Sequence, residues 1–187
     1  MSVEVLLARV LILLGIGFLV ANLRLLGQFL RFLTLRSSAQ LTWPGRRPPF
    51  FGLLLALGMI LATLVIVKLA LQRRPPVDAF GETMMMLYYG VLLPLSLRIG
   101  RGFYRDGIWS ETGYLPYSQI GGLSWREGSP ITLVLLHRAR QFARTLVVPD
   151  RHYGAARRLL RDKIATHDIH FTGKSLDLGM HDERDDV

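Results

Sequence analysis

The first half of the chain is organised as long apolar runs separated by short polar segments. Residues 5–23 contain Arg9 as their only charge, and residues 50–70 contain only Lys68. A third apolar run covers residues 80–97. A helix rises about 1.5 Å per residue, so runs of roughly 20 residues match the hydrocarbon thickness of about 30 Å. The pattern predicts about three transmembrane helices.

The helical pattern continues past the first apolar run. Polar side chains recur at spacings of four and three, at Arg24, Gln28 and Arg31, and the other positions are mostly leucine and phenylalanine. Such a face fits either an amphipathic helix in the membrane interface or a helix that protrudes and packs on its neighbours. Residues 37–49, which are rich in serine, proline and glycine, predict a turn-rich link to the second run.

Short runs with strand-like patterns follow one another in the second half. Asp106-Gly107 predicts a tight hairpin turn, and Gly121-Gly122 predicts a bulge or bend. Asp150 is the predicted cap of a helix that ends near Ile164. The region has room for five or six strands, at residues 102–104, 108–110, 114–117, 120–125, 131–137 and 144–148. The predicted inward stripe of the helix is Tyr153, Ala156, Leu159, Leu160 and Ile164.

These patterns predict an α+β membrane protein with three regions. Residues 1–98 form a membrane domain, and residues 99–166 form a small antiparallel β domain capped by a C-terminal helix. Residues 167–187 are expected to form a flexible tail, because acidic side chains outnumber basic ones near its end.

Composition supports the division into a membrane part and a soluble part. Half of the 187 residues are hydrophobic, and the mean hydropathy is +0.31, which is too apolar for an average soluble domain. The sequence contains no cysteine, which excludes disulfides and thiolate zinc sites. The first apolar run lacks a basic start and a small-residue cleavage site, so we expect a retained helix.

The formal net charge of +9 comes almost entirely from arginine. Arginine beside apolar runs usually reflects membrane orientation, so no nucleic-acid partner is expected. Most loop arginines follow the first and third runs, whereas the intervening loop carries only Arg73 and Arg74. The positive-inside rule therefore predicts an N-terminus outside and a C-terminal domain in the cytoplasm.

Several of these segments resemble a known family. Asp106-Gly107-Ile108, the run at residues 114–120 and the closing strand and helix resemble the pleckstrin-homology-like domains of bacterial membrane proteins. The resemblance covers residues 100–165. It implies an antiparallel half-barrel capped by a C-terminal helix, attached to helices of the bacterial cytoplasmic membrane. It implies no particular activity, and no binding residue is transferred from it.

The sequence offers no candidate catalytic centre. Among the histidines only His167 and His170 have a metal-like spacing of three, and no glycine-rich phosphate loop precedes a helix. We therefore expect no enzymatic activity, no metal and no cofactor.

Three functions are carried forward as hypotheses. The first is an accessory or stabilising subunit of a larger respiratory, photosynthetic or secretory membrane complex. Its partners are the lipid bilayer and other membrane-protein subunits, and small residues such as Gly52, Ala56 and Gly58 permit close helix contact. The second is a module that binds anionic lipid headgroups through arginines. The third, a lipid-modifying membrane enzyme, has no supporting residues. The candidate lipid or partner contacts are Arg138, Arg140, Arg144, Arg157, Arg158 and Arg161.

Overall fold

The chain folds into two compact units that combine apolar helices with antiparallel sheets. The computed structural model describes residues 3–126, 128–139 and 142–169.

The two units do not follow one another along the chain. The helical unit comprises Met1–Thr34 and Arg46–Ile99, and the β unit comprises Leu35–Gly45 together with the chain from Gly100 onward. The predicted boundary near residue 98 is close to the observed one. The membrane domain predicted for residues 1–98 nevertheless includes a segment, Leu35–Gly45, that belongs to the β unit.

The helical unit is formed by consecutive apolar segments joined by short turns. Its helices are α1 (Val3–Leu35), α2 (Phe51–Ile66), α3 (Phe80–Met86) and α4 (Leu93–Ser96). Wide π-helical turns extend α2 over Val67–Leu71 and join α3 to α4 over Leu87–Leu92. The predicted continuation of the first helix is therefore observed as one uninterrupted helix to Leu35.

Two helical segments are long and apolar enough to cross a membrane, Leu6–Ser38 and Phe51–Leu71, with mean hydropathies of 2.3 and 2.6. The third predicted span is helical from Phe80 to Ser96, which is shorter than either.

Glycine allows these helices to approach closely. A Cβ at Gly58 would lie 2.8 Å from the backbone nitrogen of Gly90, so α2 contacts the turn between α3 and α4 there. A Cβ at Gly81 would collide with the Leu11 carbonyl on α1. The close approach predicted for Gly58 is thus observed, whereas nothing lies within 4 Å of a Cβ at Gly52.

The β unit contains seven antiparallel strands in two sheets, one of order β1-β2-β3-β4 and one of order β5-β6-β7. The strands are β1 (Ala39–Pro44), β2 (Gly100–Tyr104), β3 (Gly107–Ser110), β4 (Gly113–Pro116), β5 (Ile120–Arg126), β6 (Thr132–His137) and β7 (Ala143–Val147). The six predicted strands and the hairpin at Asp106 are confirmed. The turn itself is at Arg105 and Asp106, one residue earlier than predicted, because Gly107 already pairs with Tyr104 as the first residue of β3. The register of β5 shifts between Ile120 and Gly122, where the bulge was expected.

The seventh strand, β1, corrects the predicted link at residues 37–49. It pairs antiparallel with β2, with Trp43 opposite Arg101 and Pro44 opposite Gly100. Gly102 makes this pairing possible, because its φ is +126° and a Cβ there would collide with the Leu41 carbonyl. The helices α2 to α4, which follow β1 in the chain, are therefore an insertion between neighbouring strands.

The core of the β unit lies between the sheets and the final helix, α5 (Asp150–Ala165). Ala156 and Leu160 are fully buried, and the other predicted stripe residues pack against the same core, which confirms that face. Asp150 is the first helical residue rather than the cap, because Pro149 occupies the cap position. The buried residues of this core are Trp43, Phe103, Ile108, Leu115, Tyr117, Ile120, Leu123, Trp125, Leu133, Leu135, Leu146, Val148, Ala156, Leu160 and Ile169.

The two sheets are held together by side chains and backbone at their junction. The Trp43 indole Nε1 donates to the Val147 carbonyl at 3.0 Å, and the Glu111 backbone N–H donates to the Thr145 carbonyl at 3.0 Å. Ile169, which was predicted to belong to the flexible tail, is 3% exposed within the core. The rest of the tail lies outside the described residues.

Candidate functional site

Three of the six candidate arginines share the outer side of α5. Arg158 and Arg161 are exposed and Arg157 is half-buried, whereas Ala156 and Leu160 face the core. Spacings of three and four place the arginines on adjacent positions of one helix surface. This basic face of α5 can bind an anionic surface through several separate guanidinium groups.

Two further candidate arginines lie at the β6–β7 hairpin, Arg138 after the end of β6 and Arg144 within β7. Arg138 is exposed, and its backbone N–H donates to the Gln119 carbonyl at 2.8 Å. Arg144 is half-buried; its Nη1 donates to the Tyr114 carbonyl at 3.1 Å and its guanidinium lies 5.3 Å from the centre of the Phe142 ring. Arg140 lies outside the described residues. The five described arginines of the predicted set therefore come from two separate parts of the β unit, α5 and the β6–β7 hairpin.

The polar face predicted for the first helix lies within α1. Arg24 and Arg31 are exposed and Gln28 is half-buried, all in one continuous helix. The interfacial and the protruding arrangements both stay predictions.

An apolar groove runs along the helical unit between α1 and the turn that joins α3 to α4. Its volume is about 550 Å³, and it is lined by apolar and aromatic side chains. The Phe18 ring lies 5.2 Å from Tyr88 and 5.5 Å from Tyr89, so the three rings form one cluster. The tyrosine pair therefore packs against α1. Gly17 lies on the groove wall with nothing within 4 Å of a Cβ.

The helical unit also contains a charged pair that sequence reasoning did not identify. Lys68 donates to a carboxylate oxygen of Glu82 and to the Asp78 carbonyl at 3.1 Å. Glu82 is buried, with its side chain 8% exposed. The sequence does contain a signal for this pair. Lys68 lies near the end of one apolar run and Glu82 near the start of the next, so the two charges flank the same short loop.

A polar cluster on the four-stranded sheet is structural in character. Arg101 donates through Nη1 to the Ser110 carbonyl at 3.1 Å, and burial lowers its pKa although the nearby Glu111 carboxylate opposes that effect. Burial raises the pKa of Tyr104 to about 12 and also raises the pKa of Tyr117. Each hydroxyl donates to a backbone carbonyl, Tyr104 to Gly100 at 2.8 Å and Tyr117 to Tyr104 at 3.1 Å.

Among the described residues, no group of three or more histidine, aspartate or glutamate side chains is placed to hold a metal ion. His170, one of the two histidines with metal-like spacing, lies outside that part of the chain. The arrangement offers surfaces for contact: the basic face of α5, the β6–β7 turn and the apolar groove.

Comparison of the chain with family models, with curated proteins and with solved structures gives no significant match.

Proposed function

We propose that this chain is a multi-pass protein of the bacterial cytoplasmic membrane that crosses the bilayer three times and works by contact with other membrane-protein subunits. The observation that carries the topology is the pairing of β1 with β2. Two strands of one sheet lie on the same side of a membrane, so the chain between them crosses an even number of times. If α2 crosses, the segment from Phe80 to Ser96 must return.

The length of that returning segment is compatible with this topology. Spans start at about 17 residues, and a short span is accommodated by local thinning of the bilayer. The loop arginines favour a β unit in the cytoplasm and an N-terminus outside.

The β unit supports the pleckstrin-homology-like interpretation. Its seven strands reach the number of a full pleckstrin-homology domain, once β1 is included, and a single helix follows the last strand. In this proposal the β unit serves as a platform beside the membrane. Its described residues include no arrangement that would favour catalysis.

The topology is testable because the chain has no cysteine. Three single variants report on three parts of the chain. Arg47→Cys lies between β1 and α2, Arg74→Cys between α2 and α3, and Thr112→Cys in the turn between β3 and β4. A thiol reagent that cannot cross membranes should label only Arg74→Cys in intact cells, and all three after permeabilisation. Labelling of Arg47→Cys and Thr112→Cys but not of Arg74→Cys in intact cells would reverse the orientation. The same result at all three positions would show that α2 does not cross.

The apolar groove supports the accessory-subunit role. Within a membrane, association of helices depends on close packing, and the groove offers an unfilled surface beside Gly17. The test is purification of the full chain in mild detergent at low and moderate salt, followed by mass spectrometry of co-purifying proteins.

Two matched variants make this test specific. Gly17→Phe fills the groove, whereas Gly27→Phe places the same ring on α1 at a site that has open space and does not line the groove. We expect the partner to be lost from Gly17→Phe and kept by Gly27→Phe. A chain that purifies alone at both salts contradicts the accessory role.

A second candidate function, binding of anionic lipid, is favoured by the basic face of α5. Hydrogen exchange of the full chain in nanodiscs should then show slower exchange of α5 in anionic than in zwitterionic lipid, with the difference lost at high salt. The triple variant Arg157→Gln, Arg158→Gln, Arg161→Gln should abolish the difference. Equal exchange in both lipids would exclude this role.

A further inference from the structure

The β unit exposes an aromatic ring where a soluble domain would ordinarily carry a polar side chain. Among its described residues, Phe142 is the only large hydrophobic side chain with substantial exposure, at 38%. Every other strongly exposed large hydrophobic residue belongs to the helical unit. A single exposed ring is ordinary on a protein surface, so the significance of this one depends on the groups that surround it.

The ring is held in a defined position at the tip of the β6–β7 hairpin. The His137 backbone N–H donates to the Phe142 carbonyl at 3.2 Å and closes the hairpin. The centres of the His137 and Phe142 rings lie 5.3 Å apart, and the Arg144 guanidinium lies 5.3 Å from the centre of the Phe142 ring. Arg144 is itself bonded to the Tyr114 carbonyl. The fold therefore fixes the ring rather than leaving it loose.

The charges around the ring fit one kind of surface. Arg138 is exposed beside it and Arg144 packs over it, while no acidic residue occurs between Thr132 and Val147. Aromatic rings are favoured at the level of lipid headgroups, and arginines beside them bind phosphates while their stems lie in the apolar boundary.

We propose that the β6–β7 tip is a membrane-interface anchor, in which Phe142 inserts among anionic lipid headgroups and Arg138 and Arg144 contact their phosphates. This inference rests on the proposed crossing of the membrane, because β2 begins at Gly100, a few residues after the helix that ends at Ser96. Such a tether keeps the hairpin at high effective concentration near the bilayer, so a weak contact suffices.

The experiment uses the full chain in nanodiscs, with Phe142→Cys carrying an environment-sensitive dye. Gly128→Cys is the matched control, because it lies in the turn at the opposite end of β6 and a Cβ there meets nothing within 4 Å. In anionic nanodiscs we expect iodide to quench the dye at position 142 several-fold less than at position 128. Headgroup-labelled quencher lipids should quench only the dye at position 142. Adding Arg138→Gln should restore part of the iodide quenching.

Equal iodide quenching at both positions in anionic nanodiscs would overturn the proposal. Protection of position 142 only when a co-purified protein is present would also overturn it, since a protein rather than lipid would then cover the tip. The result is separable from the accessory role, because quenching is measured first in nanodiscs that contain the purified chain alone and then again with any co-purified protein added.

Discussion

At the scale of single residues, buried tyrosines make the β unit sensitive to alkali. Tyr104 is fully buried and Tyr117 is 3% exposed, and burial disfavours their ionised forms. The unfolded chain loses these protons above pH 10, whereas the folded chain retains them. In this range the folded state binds more protons than the unfolded state. The free energy of unfolding must therefore fall as the pH rises from about 10 towards 12.

We expect Tyr104→Phe to flatten this alkaline loss. At neutral pH it should cost about 1 kcal/mol of the free energy of unfolding, because the hydrogen bond to Gly100 is lost. Above pH 10 the variant should lose stability less steeply than the parent. Urea unfolding followed by tryptophan fluorescence measures both, with Tyr153→Phe as the control. An unchanged slope above pH 10 would contradict the assignment.

Glycines in the helical unit differ in whether the neighbouring helix leaves room for a side chain. Gly58→Ala should destabilise the unit by about 1–3 kcal/mol, because its methyl group would press on the backbone of Gly90. Gly52→Ala, in the same helix but with open space, should be neutral or stabilising by up to about 1 kcal/mol. Thermal unfolding in detergent separates the two. Equal effects would show that α2 does not pack at Gly58.

At the scale of elements, the Lys68–Glu82 pair joins α3 to the end of the preceding helix. Glu82→Gln should lower the free energy of unfolding by about 1.5–3 kcal/mol, the range for hydrogen bonds to charged groups. Lys68 keeps about a quarter of its side chain exposed, so water still solvates part of its charge in this variant.

The exchanged pair Lys68→Glu with Glu82→Lys should regain part of that loss, and Arg74→Met is a control for charge in the same loop. Thermal unfolding in detergent is again the measurement. A double variant no more stable than Glu82→Gln would argue against a direct pair.

Elements with local signals were predictable and those with distant partners were not. The strands after Gly100 lie within a few residues of their turns, and the stripe of α5 repeats with helical spacing. β1 has neither signal, because it ends in a proline, two more prolines follow it, and its partner β2 comes only after α2 to α4. Its sequence therefore resembled a link.

The candidate site divides in the same way. Arginine clusters are visible in the sequence, so the basic face of α5 was predictable. The contacts of Arg144 with Phe142 and the Tyr114 carbonyl depend on a hairpin and a neighbouring sheet, which spacing alone does not reveal. The Lys68–Glu82 pair likewise requires two helices to be placed side by side.

At the scale of the whole molecule, β1 makes the β unit discontinuous in sequence. A chain that begins at Gly100 lacks Trp43 from the core and leaves one edge of β2 unpaired. We expect it not to unfold cooperatively. Since Pro44 lies opposite Gly100, a two-residue Asn-Gly turn can replace the helices between them.

A chain of residues 35–44, Asn-Gly and residues 100–169 should therefore fold with a single cooperative transition. Circular dichroism and urea unfolding compare it with the chain from Gly100. Equal cooperativity of the two would mean that β1 contributes little. Loss of cooperativity in Trp43→Ala of the joined chain would link the effect to the core.

The same discontinuity fixes an order of events at the ribosome. At about 5–20 residues per second, β1 is synthesised roughly 3–11 s before β2. During that interval Trp43 and Leu41 have no sheet to enter, while the segments that become α2 to α4 are synthesised. The sheet can close only after those segments have been made. A nascent chain arrested before Gly100 therefore carries an unpaired strand, whose free edge can pair with a strand of another chain.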